Sequence, residues 1–231
     1  MKAFQFFDFK EFEHSCLFES NEFVWQVLGE NLKAYLEEIC KGEIKGQVSN
    51  QAYLENEECI FIDEGTIVEA QAYIRGPAYI GKNCQIRQGA YIRGDILVGD
   101  RCIIGHATEI KSSIMLNDAK AAHFAYVGDS ILGNHVNLGA GTKLANLKVT
   151  PGSVQLLIDN KKIDSGLRKF GAILGDHVET GCNSVTSPGT IVGKGSIIYP
   201  CAIARGVYSE NTILKVKREN FETVIKENKS A

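Results

Sequence analysis

Arg93, Lys111 and His123 are the residues of this chain whose types and spacing could do chemistry. Lys111 follows Arg93 by 18 residues, and His123 follows Lys111 by 12. If the chain coils once every 18 residues, the two cations stand one above the other at about 5 Å, where they repel unless an anion such as a phosphate lies between or beside them. Two solvated charges on adjacent strands are the alternative. A histidine beside such a pair has a further use. Imidazole titrates near ~6.5, so at neutral pH it is largely uncharged and accepts a proton in place. A lone histidine is more often structural, and His14, His106, His135 and His177 make no stronger case.

The spacing matters only if the chain does coil, and the aliphatic residues say that it does. From Ile62 one returns every six positions through Val68, Ile74, Ile80, Ile86, Ile92, Val98, Ile104, Ile110 and Leu116. The rhythm resumes at Leu132, Leu138 and Leu144, and again from Leu174. Small residues such as Thr66, Ala72, Ala78, Cys84, Ala90 and Cys102 stand two places before the next aliphatic. Neither a helical nor a strand period sustained over long segments yields a count of six, whereas short strands turned at regular corners do. Three sides make one triangular coil, and stacked coils line inward aliphatics into ladders. Leu116 to Leu132 spans 16 residues where a coil needs 18, so the path tightens at KAAHFAYVGDS and is expected to swing His123 out of the wall.

The first 47 residues do not repeat. NEFVWQVLGENLKAYLEEIC, opened by Asn21 as N-cap, spaces its apolar residues as an amphipathic helix, expected to cover the open end of the prism or a neighbouring subunit. The sequence places the prism at 48–207 and a tail at 208–231, in which KRENFETVIKEN predicts a short helix. The stretch 148–169 is polar, breaks the hexads and reads as a loop thrown out of the prism.

Composition narrows the function. The formal net charge of -3 offers no basic field for nucleic acid or an anionic membrane, and no apolar run approaches the ~20 residues of a membrane span. The start MKAFQFFDFKEFEH lacks the layout of a signal peptide, so a cytoplasmic protein is expected. Seven cysteines without a Cys-x-x-Cys pair argue for reduced thiols, against a disulfide framework and against a zinc site. Cys84 and Cys102, 18 apart, are expected to stack as small core residues.

The pattern aliphatic-Gly-x-x-small-x resembles the hexapeptide transferases, and that resemblance implies a left-handed parallel β-helix. EIKSSIMLNDAKAAHFAYVGDSILGNHVNLGAGTKLAN resembles more narrowly the acetyltransferase domain of bifunctional N-acetylglucosamine-1-phosphate uridyltransferase/glucosamine-1-phosphate acetyltransferase, together with archaeal sugar-1-phosphate relatives. The resemblance implies acetyl-CoA-dependent N-acetylation of a hexosamine 1-phosphate in nucleotide-sugar biosynthesis. It makes His123 the general base and gives Asn146 the acetyl group or the histidine to orient. Arg93 and Lys111 would hold the sugar phosphate, Tyr126 and Asn137 would contact the sugar, and Lys169 falls where the family has another substrate-binding lysine. On the donor side it implies Cys182, Pro200 and one of Lys215 or Lys217 for coenzyme A. There the pattern departs: Leu147 replaces an aromatic residue, Cys182 a serine, and the lysines an arginine.

The family resemblance further implies a homotrimer with sites between adjacent prisms. The Gly-rich, Arg-containing loop of the family's nucleotidyltransferase half is absent from these residues, which makes a separate nucleotidyltransferase an expected partner. Two other functions compete. Ile-Arg-Gly-Asp at 92–95 also resembles the hexapeptide-fold carbonic anhydrases, but no His-x4-His pair exists and no metal is expected. The second is a noncatalytic trimeric β-helix that binds a sugar phosphate or nucleotide sugar and serves a separate nucleotidyltransferase.

Overall fold

In the computed structural model, which describes residues 1–216, the hexads become sides of a triangular prism. Among the described residues, three parallel sheets of nine, nine and eight strands form its faces, each strand pairing with its counterparts one coil below and above. Thus Ile96–Val98 lies between Ala78–Ile80 and Ser113–Met115 on the first face. Gln85–Ile86 pairs with Ile103–His106 on the second, and Tyr91–Ile92 with Glu109–Lys111 on the third. This is the parallel β-helix that the hexads predict. Pairing runs from Glu43 to Leu214, wider at both ends than 48–207. The helix expected in KRENFETVIKEN, and Lys217 with it, lies outside the described residues.

The inward aliphatics fill the prism, with Ile62, Ile74, Ile80, Ile86, Ile92, Val98 and Ile104 fully buried in one continuous core. Cys84 and Cys102 are free and buried in that core, their thiols donating to the Gly99 and Leu116 carbonyls.

The register revises how the count slips. Val98 pairs with Met115 and Met115 with Leu132, so two successive coils of 17 residues replace a single one of 16. Ile110 to Met115 and Val127 to Leu132 each take five residues instead of six. Both short sides fall at the corner between the third and first faces, through Lys111-Ser112-Ser113 and Gly128-Asp129-Ser130. Met115 is the inward residue, and Leu116 belongs to a second apolar cluster outside the prism. No residue is missing at His123, which lies in ordinary register beside His106.

That second cluster corrects the expected place of the N-terminal segment. The outward residues of the first face, Tyr79, Leu97, Ile114, Ile131, Ile173 and Ile191, are apolar and buried beneath Phe7, Trp25, Leu32 and Leu36. The segment therefore covers the side of the prism and not its end, because this face is apolar on both surfaces while the other two alternate. Nor is it one helix. Three 3₁₀ turns lead to an α-helix at Glu30–Ile39, and Gly29 (φ 70°) separates that helix from the turn Val24–Val27. Asn21 donates to the Leu17 carbonyl and caps nothing. The excursion at 148–169 folds as an antiparallel hairpin, Gln155–Ile158 with Lys161–Asp164, and Leu156 joins the same outer cluster.

His14 is buried where the segment meets the first face, its ring 4.3 Å from that of Tyr79 and its Nδ1 2.8 Å from the Tyr35 hydroxyl. Nε2 is buried without a hydrogen-bond partner, and burial holds the pKa below the ordinary histidine value. On acidification below about 6.5 the unfolded chain takes up a proton that the fold does not, so stability falls with decreasing pH by at most about 1.4 kcal/mol per unit from this group. Urea melts between pH 7.5 and 5 should show His14→Gln losing less stability on acidification than the parent. Parallel pH profiles would remove His14 as the cause.

Candidate active site

Two edges of the prism carry the residues that the sequence singles out. At the third-to-first corner the two shortened sides turn through Ser112 (φ 45°) and Asp129 (φ 46°), left-handed conformations that cost a non-glycine residue about 1 kcal/mol or more. Rung hydrogen bonds hold Asp129 there: its N–H donates to the Lys111 carbonyl at 3.0 Å, and its carbonyl accepts from Gly171 at 2.8 Å. Its carboxylate then meets two side chains. Lys111 Nζ donates to Oδ2 at 2.8 Å, and Asn146 Nδ2 donates to the same oxygen. The Tyr126 hydroxyl donates to Asn146 Oδ1 at 3.4 Å.

Arg93 is one coil below Lys111, as its spacing predicts, but no shared anion is needed to reconcile the two cations. Arg93 Nη1 donates to Glu109 Oε1 at 2.6 Å, while Lys111 is paired with Asp129. The pairs differ in burial. Arg93 and Glu109 keep 41% and 35% of their side-chain surface, against 13% and 11% for Lys111 and Asp129. Burial, with Glu109 and Asp129 adding to it, raises the pKa of Tyr126, so its hydroxyl stays protonated as a donor. Asp95 lies by the same corner. Burial lifts its carboxyl above the usual range, opposed by Lys33, Lys111 and a hydrogen bond from Ser112. Lys33 belongs to the helix Glu30–Ile39, so the N-terminal segment reaches this corner too.

The chain leaves the prism after Asn146 and comes back beside it. Phe170 N–H donates to the Asn146 carbonyl at 2.9 Å, and Lys169 forms an isolated antiparallel bridge with Leu147. The backbone of Lys169 therefore flanks Asn146 across the whole insertion, with its side chain exposed.

His123 occupies the other edge, between the second and third faces. Its side chain is exposed, and its ring has no hydrogen-bond partner among the described residues. Six residues of chain, turning at Phe124 (φ 51°), separate it from Asp129, and the Asn146 amide is hydrogen-bonded to Asp129 and Tyr126. Continuing the register of the second face stacks His106, His123, Ala140, Cys182 and Pro200 in one row along this edge. Cys182 is exposed and free. Asn137 points outward from the second face between Lys120 and Glu179, and Lys215 lies there too, with Nζ 5.7 Å from the Tyr199 ring centre. The structure thus brings together Arg93, Lys111, Tyr126 and Asn146 with the backbone of Lys169. It places His123, Cys182 and Pro200 on a separate edge, with Asn137 and Lys215 on the adjoining face.

Sequence reasoning missed Asp129 and Glu109. Asp129 follows Lys111 by 18 residues, but the coil here takes 17 and Lys111 pairs with Gly128, so only the stacked coils show its place beside Lys111. Among the described residues no group of histidine, cysteine and carboxylate side chains is arranged to hold a metal, and no helix is long and apolar enough to cross a membrane.

A stacked parallel β-helix with these corners is the fold of the hexapeptide-repeat acyltransferases. UDP-N-acetylglucosamine acyltransferase of Francisella novicida has a solved structure that matches at a TM-score of 0.50, with 17% identity, over 70% of this chain and 59% of that one. The sequence relationships are narrower. Residues 74–181 match the family described as the GMPPB C-terminal domain. Over 85 residues the chain is 45% identical to the bifunctional sugar-1-phosphate nucleotidylyltransferase/acetyltransferase of Sulfurisphaera tokodaii, a region covering 37% of this chain and 21% of that protein. Over 99 residues it is 40% identical to the bifunctional protein GlmU of Methanococcus vannielii, covering 42% and 24% respectively. The matched region thus spans between a fifth and a quarter of these curated relatives.

The unequal burial of the two ion pairs predicts unequal costs on removing one partner. Glu109→Gln should change unfolding free energy by less than about 1 kcal/mol. Lys111→Met leaves the Asp129 carboxylate without its cation in a nearly dry corner and should cost roughly 3 kcal/mol. Equal effects of the two substitutions in urea melts would contradict this ranking.

Proposed function

We propose that the protein is an acyl-CoA-dependent N-acetyltransferase acting on a hexosamine 1-phosphate, with glucosamine 1-phosphate the first acceptor to try. The observation that carries this reading is the corner at which Lys111 and Asn146 converge on Asp129 and Tyr126 meets Asn146, next to Arg93. Lys111 and Arg93 have donors left for a phosphate, and Tyr126 and Asn146 offer polar groups for a sugar. The relatives' names, which join sugar 1-phosphates to acetyl transfer, support the same class.

In this reading His123 removes a proton from the 2-amino group as its nitrogen attacks the thioester carbonyl of acetyl-CoA. The carbon–nitrogen bond forms, the tetrahedral intermediate collapses, and the carbon–sulfur bond breaks. The coenzyme A thiolate leaves and is protonated, giving the amide and free coenzyme A. Cys182, Pro200 and Lys215 or Lys217 are assigned to the donor, and Asn137 and Lys169 to the acceptor. These reactants are cytoplasmic metabolites, in keeping with the expected location.

His123 and the Asp129 corner lie on different edges of one chain, and a second copy whose His123 edge faces this corner would complete the site. The first face is sealed by the N-terminal segment and leaves the other two for assembly, which favours the homotrimer implied by the resemblance. Light scattering should give three chains, and a monomer would contradict the shared site. Coenzyme A release should depend on both glucosamine 1-phosphate and acetyl-CoA and fall at least about 100-fold in His123→Ala. Activity untouched by the substitution would remove His123 as the base. Sugar-phosphate binding without release by the parent protein would favour the noncatalytic subunit and its separate nucleotidyltransferase.

A further inference from the structure

Asp129 is held by both backbone and side-chain hydrogen bonds at the candidate site, and nothing in the acetyl transfer outlined above uses it. Its backbone is tied to the coil below through Lys111 and to the coil above through Gly171, in a left-handed conformation with little freedom. Its carboxylate is one-tenth exposed and accepts from two side chains through one oxygen. An amide has two ends of nearly equal shape, one donating and one accepting, and only its partners decide which way it points. A carboxylate can only accept. The end of Asn146 that faces Asp129 is therefore Nδ2, and Oδ1 is turned to the opposite side, where the Tyr126 hydroxyl approaches at 3.4 Å. A bond of that length leaves Oδ1 able to accept another donor.

We propose that Asp129 is a positioning residue that locks Asn146 with its carbonyl oxygen toward the acceptor, so that the site presents a hydrogen-bond acceptor to an N–H group, while the same carboxylate steadies Lys111. This rests on the reading of the corner as the acceptor site of an amino-sugar acetyltransferase. It adds the reason for accepting an amine: Oδ1 can receive an N–H of the 2-amino group and aim the nitrogen lone pair elsewhere, toward the thioester. An unlocked amide spends part of its time with Nδ2 outward, where its N–H groups oppose those of the amine.

Asp129→Ala, Asn146→Ala, the double variant and Asp129→Asn, assayed with glucosamine 1-phosphate and acetyl-CoA, test the proposal. Because Asp129 acts through Asn146, each alanine variant should lose about 100-fold in kcat, with little change in KM for the sugar phosphate in Asn146→Ala and a raised KM in Asp129→Ala from the loosened Lys111, and the double variant should be no worse than Asp129→Ala alone. Asp129→Asn, whose side-chain oxygen still accepts from Asn146, should recover about tenfold over Asp129→Ala. A double variant at the product of the single losses would overturn the proposal, as would Asp129→Asn no better than alanine. Thermal melts identify a variant that fails to fold, in which case the conservative variant and Asn146→Ala carry the comparison. Calorimetric titration with glucosamine 1-phosphate separates the two claims. If the parent binds it without releasing coenzyme A, the catalytic reading fails and the same cycle in Kd decides the role of Asp129; if the parent binds none, both fail.

Discussion

Everything in this molecule depends on the backbone hydrogen bonds that tie each side of a coil to the same side of the next. Tyr91 N–H donates to the Thr108 carbonyl, Glu109 to Ala125, Tyr126 to Thr142 and Lys143 to Ser184, each at 2.9 to 3.0 Å. One such bond contributes little net free energy, but the full ladder leaves few buried backbone groups unpaired and sets the register of every side chain. Small residues at the corners follow from the same closeness. A Cβ on Gly105 would lie 1.6 Å from the Ala122 carbonyl oxygen, so the coil carrying His106 can approach the coil carrying His123 only with glycine there.

That ladder explains why shortened sides are tolerated and where they must fall. Removing a residue from the middle of a side would turn inward aliphatics outward, whereas removing one from a corner changes only the turn. The chain does so twice in succession at one corner, through Ser112 and Asp129, whose left-handed backbones are of the kind also found at regular corners such as Asp95 and Asp118. The turn at Asp129 is where its carboxylate meets both Lys111 and Asn146. An irregularity of the scaffold and the polar cluster of Lys111, Asp129 and Asn146 thus fall at one corner.

Much of the fold was legible because it is a count. Ile62 to Ile110 recur without error, and each is buried in the prism. The count failed at Met115 and Leu116, where two adjacent apolar residues fit the inward slot equally well and only pairing to Val98 chooses between them. It also left unread the apolar outward column Leu97, Ile114, Ile131, Ile173 and Ile191, which shows why the N-terminal segment lies against a side and not an end. Arg93 and Lys111 were found by spacing. Their partners were not, because Glu109 and Asp129 look like ordinary surface carboxylates until the coils are stacked. The separation of His123 from Asn146 was likewise hidden, since closeness along a sequence says nothing about which corner of a triangle a residue occupies.

The row His106, His123, Ala140, Cys182 and Pro200 has one further consequence. Successive positions are fixed by rungs of about 4.8 Å, so the row is a graduated edge close to 20 Å long. Its backbone is specified by the ladder and asks little of side chains that point to solvent. Chemistry can be written onto such an edge one mark at a time, each substitution altering what is displayed at a known height without moving its neighbours. A long thin molecule laid along it would be met by a sequence of separately adjustable contacts, so a changed preference for one part of that molecule would not demand a change in the rest.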